Sequence, residues 1–173
     1  MPARLLTNTT TLSLVSLLLL GACGHRFSVS LNEQVLYDPR PGNAVISVAD
    51  AGLQSCINVL MREREITDVG SIEVLACPGL EITSLAGIEQ LVNLRFVDLA
   101  GNELANLDGL QNLSRLSSVN APANRLQDVS ALVRIRTLTS AVLTANNAIP
   151  CAQLDALAQR LNAGLLRPEQ CTP

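Results

Sequence analysis

The residues best equipped for chemistry in this sequence are five cysteines, Cys23, Cys56, Cys77, Cys151 and Cys171. A thiol can be acylated, can ligate a metal or can pair, and its neighbours decide which. No two of these form a C-x-x-C, and the single histidine, His25, leaves neither a histidine-rich metal site nor a spare general base. No Gly-rich phosphate loop, H-E-x-x-H or G-x-S-x-G occurs, and Asp98 and Asp108-Gly109 lack the spaced acidic ligands of a calcium loop. Glu63, Glu65 and Glu89 sit among Arg and Gln as a solvated face does. The expectation is a non-enzyme with no cofactor and no metal. All 12 cations are Arg against 15 acids, so the formal net charge is -3 and there is no basic footprint for nucleic acid.

The N-terminus assigns one cysteine. Arg4 precedes an apolar run from Leu12 to Leu20, broken only by Ser13 and Ser16 and closed by Gly21-Ala22-Cys23. The hydrophobic stretch is about half the roughly twenty residues a spanning helix needs, so it reads as a secretory signal. Leu20-Gly21-Ala22-Cys23 resembles the bacterial lipobox, which implies acylation of Cys23 and cleavage just before it. Gly24, rather than Asp, follows that cysteine, as in lipoproteins sorted to the outer membrane. Setting Cys23 aside leaves an even set of four in a disulfide-permissive compartment. Of the three possible connectivities, Cys56 with Cys77 and Cys151 with Cys171 is favoured, because the pairs lie at opposite ends of a repeat array. Each would close a loop of about twenty residues, worth about 3 kcal/mol in the chain-entropy description.

The repeats are what must position everything else. From Leu94 the chain reads Leu94, Val97, Leu99, Asn102, Leu104, Leu107, Leu110, Leu113, and a shift of about 22 returns the frame as Leu116, Val119, Ala121, Asn124, Leu126, Val129, Leu132, Ile135. A further shift gives Leu138, Ala141, Leu143, Asn146, Ala148, Cys151, Leu154, Leu157, and the preceding frame is Ile72, Leu75, Cys77, Leu80, Ile82, Leu85, Ile88, Leu91. The pattern matches the L-x-x-L-x-L-x-x-N-x-L leucine-rich repeat, in which a short strand is followed by a turn and a loose helical return. A lone turn of such a coil cannot bury its apolar side chains, so neighbours must stack. Asn102, Asn124 and Asn146 stand where the chain leaves the strand, where an inward amide can bond the backbone of the bend and of the adjoining coil.

Exposed strand edges invite unwanted pairing, so both ends need covers. Asp50 can cap a helix whose apolar residues Leu53, Cys56, Ile57, Leu60 and Met61 share one face, which would set Cys56 near Cys77. Pro150 opens a second helix with Leu154, Leu157 and Leu161 on one side, closed near Gly164. The expected fold is therefore α/β, a leucine-rich-repeat solenoid with short parallel strands on the concave side, loose helical returns, and helical N- and C-terminal caps. The expected organisation is a lipoprotein signal peptide over 1–22, the lipidated cysteine with a tether or short strands over 23–46, and an N-terminal cap helix over 47–71. Repeats then occupy 72–149, and a C-terminal cap helix with a disulfide tail occupies 150–173. Within 24–43, Phe27, Val29 and Leu31 alternate with serines ahead of Val35-Leu36-Tyr37, which suits a short strand pair, a strand laid across the cap, or an extended tether.

Asp50 through Leu53, Ile66-Thr67-Asp68, the block Ile82 to Leu91 and the 22-residue coils resemble the internalin-type repeats of bacterial surface and envelope proteins. With the lipobox and the terminal Asn147 to Leu154, the chain resembles small leucine-rich-repeat lipoproteins of Gram-negative bacteria. The resemblance implies a binding scaffold and names no ligand. It also implies export to the cell envelope, with the N-terminal lipid holding the protein on the outer membrane.

Strand phase gives the candidate binding surface. Residues between the inward positions face out along the concave sheet. They include Glu73 and Val74, then Arg95, Phe96 and Asp98, then Ser118 and Asn120, then Ser140 and Val142. Phe96 between Arg95 and Asp98 has the composition of an apolar anchor with a charged rim, or of a side chain packed beneath a neighbouring loop. The serines and Asn120 suit a protein, peptide or glycan surface. Two functional classes follow: a lipid-anchored module that binds a partner on its concave face, or a structural or assembly subunit that makes its contacts through edges and caps. An apolar patch centred on Phe96 would favour the first and patches on the caps the second.

Overall fold

The structure, a computed structural model, describes residues 28–31, 34–38 and 46–171. The signal segment, Cys23 and His25 lie outside the described residues. The fold is an α/β leucine-rich-repeat solenoid. Its spine is a parallel sheet of five strands in chain order, β3 (Val74–Ala76), β4 (Phe96–Asp98), β5 (Ser118–Asn120), β6 (Ser140–Val142) and β7 (Leu165–Leu166). Val74, Phe96, Ser118 and Ser140 are register partners in succession, each 22 residues after the last. The middle residue of each strand from β3 to β6, Leu75, Val97, Val119 or Ala141, is fully buried.

The returns are single turns of 3-10 helix at Ile88–Gln90 and Asp108–Leu110, and a short helix, α2 (Ser130–Arg134). Asp128 precedes α2, and its carboxylate accepts the Ser130 N–H at 2.7 Å. That backbone bond, helped by the Ser130 hydroxyl, holds the Asp128 carboxyl below the usual carboxylate range. Small returns against extended strands leave an aliphatic interior in which leucines from each coil stack on those of the next.

The asparagines bind one coil to its predecessor. The Asn102 Oδ1 accepts the N–H groups of Leu80 and Ile82, both at 3.0 Å, while its Nδ2 donates to the carbonyls of Cys77 at 2.8 Å and Leu99 at 2.9 Å. Asn146 does the same two coils on, accepting from the N–H groups of Asn124 and Leu126 and donating to the carbonyls of Ala121 and Leu143. Because each amide serves the coil before it, the first coil needs none. Leu80 stands at that place and packs against the core instead. The turn position just before this one is left-handed in all four coils: Gly79, Gly101, Ala123 and Ala145 have φ between 53° and 67°. Two coils fill it with a residue suited to that conformation, and two with alanine.

The N-terminal cap is α1 (Ala51–Glu63), and Asp50 caps it by accepting the Leu53 N–H at 3.1 Å. The other carboxylate oxygen of Asp50 accepts from the Thr83 and Ser84 backbone, so one side chain joins the cap to the first turn. Leu53, Cys56 and Ile57 are buried on the repeats, and Cys56 is bonded to Cys77 with Cα atoms 5.6 Å apart. Gln54, Ser55 and Asn58, polar residues on the same helix, are also buried. They hold the chain that precedes the helix. Gln54 accepts the Val48 N–H, the Ser55 hydroxyl accepts the Asp38 N–H, and Asn58 donates to the Asp38 carbonyl. Buried Asp38 also pairs with Arg62 at 3.1 Å. The segment between Ser28 and Tyr37 is an antiparallel hairpin of β1 (Val29–Leu31) and β2 (Gln34–Tyr37), with β2 against α1. Over the described residues of this stretch the chain forms a strand pair.

At the far end Pro150 caps α3 (Cys151–Leu161), and Leu154, Leu157 and Leu161 are buried. The guanidinium of Arg160 donates to the carbonyls of Leu132 and Ile135, both at 2.6 Å, closing the C-terminus of α2. Two sequence expectations fail here. Ala148 and Cys151 do not occupy inward positions: both are exposed, and Ile149 takes the buried place, because the Pro150 turn into α3 breaks the 22-residue phase. The residues after α3 are also more than a disulfide tail, since β7 adds a fifth strand alongside β6. Gly164 permits that approach, as a Cβ there would collide with the Thr139 carbonyl. Cys171 is bonded to Cys151, with Cα atoms 5.4 Å apart.

Candidate functional site

The stacked strands set the outward side chains in three rows across the concave sheet. The first is Glu73, Arg95, Ser117 and Thr139. Arg95 Nε lies 3.7 Å from Glu73 Oε2 with both side chains more than half exposed, so this pair contributes little to stability and leaves both charges accessible. The hydroxyls of Ser117 and Thr139 donate to the carbonyls of Arg95 and Ser117 respectively, and are spent on the frame. The second row is Val74, Phe96, Ser118 and Ser140. Val74 is 55% exposed and Phe96 is half-buried beside it. The third row is Ala76, Asp98, Asn120, Val142 and Leu166. Asp98 and Asn120 occupy each other: Asn120 Nδ2 donates to Asp98 Oδ1 at 2.9 Å, and the same oxygen accepts the Ala100 N–H.

All nine residues chosen from strand phase, Glu73, Val74, Arg95, Phe96, Asp98, Ser118, Asn120, Ser140 and Val142, lie on this one face and none is buried. They are not equivalent. Phe96 is half-buried and with Val74 makes an apolar end to the face, whereas Asp98 and Asn120 form a hydrogen-bonded rung. A feature absent from the sequence reading adjoins Val74. A groove of about 600 Å³ runs between α1 and β3, walled by Leu36, Val59, Leu60, Ile66, Val74 and Pro78 among others. Its walls come from the hairpin, the cap and the first coil, which no single repeat pattern could join. Among the described residues there is no group of His, Cys, Asp and Glu arranged to hold a metal, and no helix is long and apolar enough to cross a membrane.

Among solved structures the chain is similar to two proteins of Listeria monocytogenes. One is an internalin (inlF), with a TM-score of 0.57 and 25% identity over 69% of this chain and 42% of that one. The other is an internalin C2 (inlC2), with a TM-score of 0.55 and 23% identity over 63% of this chain and 51% of that one. The present chain thus spans about half the length of these structures or less, and the second likeness speaks for the fold alone. No family model and no curated protein matches the sequence.

Proposed function

We propose that this chain is an exported, lipid-anchored leucine-rich-repeat module of the bacterial cell envelope that binds a protein or peptide partner on its concave face. The observation that carries the binding reading is that exposed Val74, the register partner of half-buried Phe96, lines the groove along α1 together with Glu73, whose carboxylate lies beside Arg95. An apolar anchor site with a charged border is the usual make-up of an interface centre. Ser118 and Ser140 extend the row with hydroxyls suited to a peptide backbone or a glycan. The likeness to an internalin supports a binding module, and two disulfides suit an exported protein. The leader and Leu20-Gly21-Ala22-Cys23 support outer-membrane anchoring through Cys23.

A second reading, an assembly subunit, is favoured by one observation. Leu166 at the end of the sheet is 57% exposed and could meet a neighbouring chain. Two experiments test the main reading. Metabolic labelling with a clickable fatty acid should tag the wild-type protein and not Cys23→Ser, which should persist as precursor; normal processing of that variant sinks the anchor. Crosslinked complexes isolated from intact envelopes should disappear with Phe96→Ala plus Val74→Ser and survive Leu166→Ser. The reverse pattern would select assembly.

A further inference from the structure

The outer strand of the N-terminal hairpin, β1, pairs with β2 and, among the described residues, with no other strand. All three residues of β1 are exposed, and the two apolar ones, Val29 and Leu31, are 43% and 64% exposed. Across the sequence of residues 27–37 the only charge is Glu33. The hairpin is nonetheless firmly held on its inner side, where Asp38, immediately after β2, engages Ser55, Asn58 and Arg62 of α1. Its bare face is a fixed surface rather than a loose end.

The covalent path fixes what that face meets. Val29 is six residues beyond Cys23. At about 3.3 to 3.6 Å per residue, even a fully extended chain keeps Val29 within about 20 Å of an acyl anchor at Cys23. An apolar face so tethered meets the lipid surface at high effective concentration, and one lipid-bearing residue is better held when a second apolar contact joins it. Arg26, between anchor and hairpin, suits anionic headgroups.

We infer that β1, through Val29 and Leu31, rests in the surface of the membrane that anchors Cys23, so that the α1 end of the solenoid faces the bilayer and the β7 end points away. The inference rests on the lipid-anchor reading. It gives the hairpin patch a lipid occupant instead of a protein one, and it leaves the concave face free to one side.

The test uses the full lipidated protein in phosphatidylethanolamine–phosphatidylglycerol vesicles. The chain contains no Trp, so Leu31→Trp and Val133→Trp each provide a single reporter at an exposed position. With brominated acyl chains in the vesicles, the position-31 reporter should lose half or more of its emission and the position-133 reporter almost none. Hydrogen exchange on the unsubstituted protein is the companion measurement, independent of tryptophan's own affinity for interfaces. Amides of 29–31 should exchange several-fold more slowly on vesicles than in the unlipidated chain from Gly24 onward, which carries neither the leader nor acyl chains. Intact mass separates the two failures. Acyl chains on Cys23 with equal quenching at both positions and unchanged exchange would overturn the inference and leave the anchor standing. A mature protein without acyl chains would overturn both.

Discussion

Replacing Asn102 by alanine should be the most damaging polar-to-apolar change in the repeats. The Asn102 amide is 95% buried and makes four hydrogen bonds of 3.0 Å or less, two from the bend at Leu80 and Ile82 and two to the carbonyls of Cys77 and Leu99. A neutral intramolecular hydrogen bond has a net worth of about 1 kcal/mol, and an orphaned buried backbone group costs about 1 to 3 kcal/mol. Some of the four partners will regain water at the bend, so the expected loss is about 3 to 5 kcal/mol. Asn124 is less buried and its bonds are longer on average, with Leu104 at 3.1 Å, Leu99 at 2.9 Å and Ala121 at 3.3 Å. Asn124→Ala should therefore cost less, about 2 to 3 kcal/mol. Urea titration with an unchanged slope measures the difference, and hydrogen exchange should show the Leu80 and Ile82 amides losing protection first. A cost below about 1 kcal/mol for Asn102→Ala, or equal exchange across all coils, would refute the view that each asparagine secures the coil before it.

Leu99→Ala, at a fully buried position in a middle coil, should cost about 2 to 5 kcal/mol. Ser118→Ala, on the concave face, should change stability by less than about 0.5 kcal/mol; equal midpoints in urea would mean the inward and outward phases are misassigned. Ala145→Gly should stabilise the protein by about 0.5 to 1 kcal/mol, because φ is 57° there and relief of left-handed strain exceeds glycine's added unfolded-state entropy. Gly101→Ala should act in the opposite sense, and matching signs in thermal melts would contradict this. Cys171→Ser should free the C-terminal end, raising exchange after Asn146 while leaving the coil around Asn102 protected, since stacked repeats can fray from one end.

What the sequence made legible was periodic. Strand phase and the asparagine positions follow from one repeated arrangement of apolar and polar residues, so one frame predicts the next, and the Asp50 cap follows from a capping residue ahead of a one-sided apolar helix. The concave rows follow as well, because strand alternation leaves only one face for residues between the inward positions. What escaped lies where periodicity stops. The Pro150 turn shifts the buried position from Ala148 to Ile149, and the two-residue strand Leu165–Leu166 carries too few residues to show alternation. Gln54, Ser55 and Asn58 look like a solvent-facing stripe until the returning chain at Val48 and Asp38 covers them. The left-handed alanines carry no local signal at all, and only alignment with Gly79 and Gly101 would reveal them. The Asp98–Asn120 rung likewise needs the 22-residue register before the two side chains can be seen as partners.

The central claim, that the concave face engages a partner, is most directly tested by placing a photo-crosslinking amino acid at single positions in intact envelopes. Positions 96, 118 and 140 sample the middle row, while 92 and 133 are exposed apolar positions away from the concave strands. The account predicts a discrete adduct from the three concave positions, strongest at 96, and none from the other two. Adducts from 92 or 133 with none from 96, 118 and 140 would contradict it.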